Sequence, residues 1–181
     1  MLDPISCAAK LRIPLIDLYL IGKIAAVADR AEHDESWWVW PKAPAEHSYD
    51  IGHMVPELAD IMSRCRVGNH LICIGLPPGY VAPIHQDDAD WRKCMIIVPV
   101  SPKHRIAPTT YHHSNDAAEP WLTVNYELGD AWLLNTEPWH GIKNNDQRRV
   151  SLQISLHQPY EEILDRIRRN DLFDGLECHL A

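Results

Sequence analysis

Residues 149 to 156, RVSLQISL, alternate between polar and apolar side chains without a break. Successive side chains of a strand point to opposite faces. Arg149, Ser151, Gln153 and Ser155 therefore share one face, and Val150, Leu152, Ile154 and Leu156 share the other. A helix does not have this period, so the segment reads as a strand with its apolar face on a core. The polar face has two explanations. It lies in water on the outside of a sheet, or it faces inward toward a polar ligand. In the second case Arg149, at the head of that face, could hold a carboxylate through two parallel hydrogen bonds. Arg148 has the opposite parity and points elsewhere.

The chain leading to this strand divides by period. Residues 15–30 place apolar side chains at 15, 18, 21, 24/25 and 28, which is helical spacing. Pro41 and Pro44 exclude a long element in residues 31–53. VPELADIMSRCR reads as a second helix with Pro56 in its first turn. From residue 67 the pattern becomes short strands set apart by turns: NHLICIGL, then YVAPIH, whose proline marks an edge or a strand end, then RKCMIIVPV. Residues 101–119 form a long polar loop. WLTVNY and AWLLN are strands joined by the turn ELGD, WHGIK is another strand, and RRVSLQISLH is the last. PYEEILDRIRRNDLF reads as a closing helix. The expectation is a single domain over 1–181, mainly β with flanking helices. Residues 1–66 form a helical N-terminal support, 67–157 a small antiparallel barrel or sandwich with the site, and 158–181 a C-terminal helix.

Composition excludes some functions. The formal charge of −8 disfavours nucleic acid and anionic membrane as main partners, since both call for a basic surface. No apolar stretch approaches the ~20 residues of a membrane-spanning helix. MLDPISCAAKLRIPLIDLYL carries an acid where a signal peptide carries positive charge. The five cysteines, Cys7, Cys65, Cys73, Cys94 and Cys178, are odd in number and lack C-x-x-C spacing. Reduced, mostly buried thiols in a cytoplasmic protein fit them best. The three tryptophans of SWWVWP read as core and loop anchors, with a wall of a binding cleft as the alternative.

With 11 histidines and 25 acids in the chain, an H-x-D/E match arises by chance about once or twice. Two occur, so context must decide. His33-Asp34-Glu35 lies in a polar stretch just past a helix and reads as solvated loop. His85-Gln86-Asp87 lies between two strands, where residues i and i+2 share a face. His85 and Asp87 can reach one point, while Gln86 points away and Asp88 is out of phase. His140, which follows one strand and opens another, is the candidate third ligand. Two imidazoles and one carboxylate on one side of a metal leave the other positions open, as in non-haem Fe(II) oxygenases. Ligand atoms sharing one ion at about 2 Å should lie within about 3–4 Å of one another.

Taken together, PPGYVAPIHQD … PWHGIKNNDQRRVSLQI resembles the Fe(II)/2-oxoglutarate-dependent oxygenases, most like their aspartyl/asparaginyl and prolyl hydroxylase branches. The resemblance covers roughly residues 70 to 157. It rests on the H-x-D, the distal histidine and the R-x-S after it. It implies a double-stranded β-helix, the cupin-like jelly roll, with Fe(II) held by His85, Asp87 and His140. It also implies 2-oxoglutarate gripped by Arg149 and Ser151, with O2 consumed and succinate and CO2 released. The aspartyl/asparaginyl branch often lacks the carboxylate ligand and carries a further basic residue on the strand after the first histidine. Asp87 departs from that branch. Arg92 stands near the second basic position, as a further contact to 2-oxoglutarate or as a surface residue at a strand start. The implied reaction is hydroxylation of an amino acid, a peptide residue or another small molecule.

Two alternatives stay open. GDAWLLNTEPWHGIKN also resembles the second motif of cupins, with His140 and Asn144 as H-x-x-x-N, although the H-x-H and glutamate of their first motif are absent. A barrel that has lost its iron and serves as a binding module is the other. His47, His53, His104, His112 and His113 read as solvated, with His112 and His113 as candidate cleft residues. The sequence leaves the oligomeric state open.

Overall fold

A computed structural model of the chain describes residues 3–14, 16–31, 47–49, 55–87, 92–102 and 104–181. The tryptophan cluster, the His33 motif, His53, Asp88 and both prolines of the early irregular stretch lie outside the described residues.

Two antiparallel sheets form the body. The larger has the order β11-β1-β8-β5-β10-β3-β2. Its strands are β1 (Ala8–Arg12), β2 (His47–Tyr49), β3 (Asn69–Leu76), β5 (Cys94–Ser101), β8 (Ala131–Asn135), β10 (Arg149–Leu156) and β11 (His179–Leu180). The smaller has the order β4-β9-β6-β7, from β4 (Val81–His85), β6 (Thr109–Tyr111), β7 (Leu122–Val124) and β9 (His140–Lys143). The segment expected to be helical support also supplies two strands. β1 lies between β8 and β11 inside the large sheet, and β2 pairs with β3 at its far edge. β4 is an edge strand, as its proline required, with a register shift between Ala82 and His85.

The two-faced strand occupies the middle of the large sheet. β10 pairs with β3 along its whole length and with β5 on its other side. All eight of its residues are buried, which rules out the water-facing explanation of its polar side. Val150, Leu152, Ile154 and Leu156 join the main core with residues of all three helices, α1 (Leu18–Ala31), α2 (Pro56–Ser63) and α3 (Tyr160–Arg168). Full burial of such a side chain contributes about 1.5–3 kcal/mol. The opposite, polar face looks toward the small sheet.

The helix limits follow from their caps. Asp17 Oδ1 accepts the Leu20 N–H at 2.8 Å, so α1 starts at Leu18 rather than at residue 15. This start sets Leu18 outside the apolar stripe: it is 71% exposed, while Leu20, Ile21, Ile24, Val27 and Ala28 are buried. α3 ends before the expected Phe173 because Asn170 takes a left-handed φ of 53° and turns the chain. β7 and β8 are joined by the turn at Glu127–Asp130, yet each enters a different sheet. Gly129 makes that transfer possible. Its φ is 81°, and a Cβ there would stand 2.6 Å from Ile21 Cδ1.

No described helix is long and apolar enough to cross a membrane. All five cysteines are free thiols; Cys7, Cys73, Cys94 and Cys178 are buried and Cys65 is half-buried. Burial pushes the thiols of Cys73 and Cys178 up to about 12. In the native protein a thiol reagent at neutral pH should therefore label Cys65 first, with the other four reacting only on unfolding. Mass mapping of a time course checks this, and early labelling of Cys73 would contradict the packing around β3.

Candidate functional site

Both histidines of the sequence trio sit on the small sheet, on adjacent strands. His85 ends β4, His140 opens β9, and they are direct cross-strand partners. Their rings lie 4.5 Å apart between centroids. Asp87 follows two residues beyond β4, where its N–H donates to the Thr136 carbonyl at 3.0 Å. One ligand atom from each of His85, Asp87 and His140 can be chosen so that all lie within 4.8 Å of one another. His85 Nε2 and Asp87 Oδ1 are 3.6 Å apart, within the expected 3–4 Å, whereas the group as a whole is looser.

Each histidine is oriented in the same way. His85 Nδ1 lies 2.7 Å from the Pro83 carbonyl, and His140 Nδ1 lies 2.9 Å from the Pro138 carbonyl. A carbonyl only accepts, so Nδ1 carries the proton in both rings, and Nε2 is the nitrogen whose lone pair is available when the ring is neutral. This is how metal-binding imidazoles are usually oriented. Burial holds His140, 5% exposed, below the usual histidine range and so neutral. The Asp87 carboxylate beside His85 raises that ring instead. Burial would lift Asp87 itself, but His85, Arg92 and His140 outweigh it and keep the group ionised. Asp87 Oδ2 is buried and has no hydrogen-bond partner among the described residues. Two imidazole Nε2 atoms, an ionised carboxylate and an orphaned buried oxygen suit a divalent cation, which would displace any proton on His85 Nε2.

The trio stands where two spaces meet. Behind it, between the two sheets, lies a cavity of about 250 Å³. Its walls include Ile74, Met95, Ile97, Thr109, Ile142 and Gln153. In front, His85 and Asp87 also border an open groove of about 460 Å³ together with Ile84, Gln86, Glu137 and Trp139. Among the described residues, the polar face of β10 reaches the cavity through Gln153, whose Oε1 is buried without a partner.

Arg149 lies on the same face of β10 and is 1% exposed. Its Nη1 donates to the Ala107 carbonyl at 2.9 Å and its Nε to Ser151 Oγ at 3.2 Å. Nη2 is buried and has no hydrogen-bond partner among the described residues. The guanidinium lies over the Tyr126 ring, 5.1 Å from its centroid, and the Tyr126 hydroxyl donates to Thr109 Oγ1 at 2.7 Å. A buried cation with an unused N–H and, among the described residues, no carboxylate beside it fits an anionic ligand. Arg148 points the other way, as its parity required, and pairs with Asp29 of α1 at 3.1 Å. Arg92 borders the cavity and binds Asp87 Oδ1 through Nη2 at 2.9 Å.

Other expected residues lie apart from the site. His112 is buried and bonded to Thr110 Oγ1, and His113 stacks on Trp121 at 5.8 Å. His104 is exposed, and His47 lies in β2. Asn144 of the cupin-like motif is a turn residue: its Nδ2 donates to the carbonyls of Leu76, Pro77 and Gln147. Sequence reasoning missed Thr109 and Tyr126. Thr109 sits in the stretch read as a polar loop and Tyr126 at the end of WLTVNY, and only the fold brings the Tyr126 ring beneath Arg149 and Thr109 to its hydroxyl.

No protein-family profile and no curated protein matches the sequence. Solved structures do match. A prolyl-4-hydroxylase of Pseudomonas putida is 15% identical, with a TM-score of 0.52 over 81% of this chain and 90% of that one. An oxidoreductase of the 2OG-Fe(II) oxygenase family from Burkholderia pseudomallei is 10% identical, with a TM-score of 0.59 over 83% and 84%. A prolyl hydroxylase from Trichoplax adhaerens, in complex with a peptide fragment of the hypoxia inducible factor oxygen degradation domain, is 10% identical, with a TM-score of 0.59 over 81% of each chain. In its fold, the chain is similar to the Fe(II)/2-oxoglutarate oxygenases, prolyl hydroxylases among them.

Proposed function

We propose that this chain is an Fe(II)- and 2-oxoglutarate-dependent oxygenase that hydroxylates an amino-acid or peptide-residue side chain. One observation carries the reading: His85, Asp87 and His140 converge where a cavity between the sheets meets an open groove, in a chain with this fold. The two sheets then correspond to the halves of a double-stranded β-helix, and residues 1–181 act as one domain around it. The Nε2 atoms of His85 and His140 and the Asp87 carboxylate would hold Fe(II). Arg149, assisted by Ser151, would take the distal carboxylate of 2-oxoglutarate through its unused N–H. When bound, the metal and the co-substrate activate O2 and supply the oxidising equivalents, leaving succinate and CO2.

The protein's own contribution is placement. The Pro83 and Pro138 carbonyls fix both ring tautomers. Met95, Ile97 and Ile142 wall the inner cavity with apolar surface and limit water there. The open groove leaves room for a side chain presented from outside, and the Trichoplax neighbour, itself in complex with a peptide fragment, supports a peptide as one candidate substrate. The test is succinate release from 2-oxoglutarate with Fe(II), ascorbate and O2, first alone and then with free amino acids and proline-containing peptides. Stimulated release with one substrate class identifies that class. No release under any condition, from protein shown to bind metal, would favour a binding module instead.

A further inference from the structure

Arg92 contacts another protein side chain where the resemblance implied a co-substrate. Its guanidinium donates to Asp87 Oδ1 at 2.9 Å, and the two side chains are 15% and 8% exposed. A pair so far out of water is held by geometry, since neither charge is well solvated alone. The backbones of both partners hang from one residue. Thr136 is buried, and each of its hydrogen-bonding groups serves this segment. Its carbonyl accepts the Asp87 N–H at 3.0 Å, its hydroxyl donates to the Arg92 carbonyl at 3.4 Å, and its N–H donates to the Lys93 carbonyl at 3.4 Å. Thr136 precedes His140 by four residues, so the acid, the arginine and the distal histidine share one anchorage.

We infer that Arg92 is a positioning residue for the metal centre, holding the Asp87 carboxylate toward the two histidines and restricting it to a single coordinating oxygen. The inference rests on the metal-binding reading proposed above. A carboxylate with one oxygen fixed by a guanidinium cannot rotate freely to chelate through both. Arg92 fixes the same Oδ1 that stands 3.6 Å from His85 Nε2 and leaves Oδ2 without a partner among the described residues, using a planar fork that a lysine does not reproduce. Its action on an ion is therefore exerted through Asp87, without direct contact.

Anaerobic titration with Co(II) tests this, followed by calorimetry and by the visible absorption of the bound ion, which reports its coordination. The proteins are the wild type, Arg92→Met, Arg92→Lys and Arg148→Met. Arg92→Met should bind Co(II) about 10–100-fold more weakly, the usual cost of losing a partner of a metal ligand, with an altered absorption band. Arg92→Lys should recover part of both, and Arg148→Met should match the wild type in both. Wild-type affinity and absorption in Arg92→Met would overturn the inference, and a loss confined to 2-oxoglutarate binding would assign Arg92 to the co-substrate instead. If Arg92→Met does not fold, Arg92→Lys decides alone: a changed band with weaker binding supports the role, and unchanged values overturn it. A wild-type protein that takes up no Co(II) would end the metal reading itself, an outcome distinct from failure at Arg92.

Discussion

Asp87→Ala is expected to abolish 2-oxoglutarate turnover and to weaken metal binding by at least about a hundredfold, beyond the upper end of the usual cost of an outer partner. The chain should remain folded, because the bond from residue 87 to Thr136 uses the backbone N–H and survives the substitution. The trio would keep its two imidazoles but lose its only anion, and with it the charge that offsets a divalent cation. Asp88→Ala should leave most of the turnover, since Asp88 is one residue out of phase with His85. Calorimetric titration with Mn(II) and succinate release measure the two effects. Wild-type metal affinity in Asp87→Ala would dismiss the candidate centre.

Arg149 carries the second large effect, and it runs in two directions. In the free protein this guanidinium is buried with no carboxylate beside it among the described residues, so burial penalises its charge and pulls its pKa down. Removing an unpaired buried charge relieves its desolvation penalty, which is on the order of several kcal/mol for an ion out of water. Arg149→Met should thus melt no lower than wild type in the absence of ligand. Saturating 2-oxoglutarate should then separate the two. The wild type gains about 2.7 kcal/mol at a ligand concentration a hundredfold above Kd, and Arg149→Met gains almost nothing. Loss of a desolvated partner of this kind costs on the order of 2–5 kcal/mol of binding. Arg148→Met, on the other face of the strand, should follow the wild type. Thermal melts with Mn(II), with and without 2-oxoglutarate, give the comparison. Equal ligand-induced shifts in the two arginine variants would remove Arg149 from the co-substrate site.

Much of this site was legible because alternation is a strong signal. β3 and β8 begin and end where the residue pattern placed them, and β10 declared both of its faces. His85 and His140 were found through their positions at strand ends, where a side chain can enter a space between sheets. β1, β6 and β11 were not legible. AAKLR, TTY and HL are two to five residues long, and what makes them strands is pairing with distant segments, such as Ala9 with Leu133 and Tyr111 with His140. The contact of Arg92 with Asp87 was hidden for a similar reason. Both flank residues 88–91, and it is Thr136, more than forty positions away in sequence, that fixes their backbones. Tyr126 meets Arg149, and Thr109 meets Tyr126, only in the folded chain.

The placement of β4 and β10 has a consequence for the timing of backbone opening. β10 is hydrogen-bonded on both sides along the centre of the seven-stranded sheet, whereas β4 is a proline-bearing edge with a broken register. Amides of β10 should therefore exchange with solvent only near the global unfolding limit, and those of β4 much sooner. His85 rides on the fast-exchanging strand. An ion shared by His85, Asp87 and His140 would join that edge to its neighbours, so protection gained on metal binding should concentrate at residues 81–87 and be nearly absent from 149–156. The metal would then act as a staple for the weakest margin of the fold, and deuterium uptake by β4 would report its occupancy without any turnover being measured.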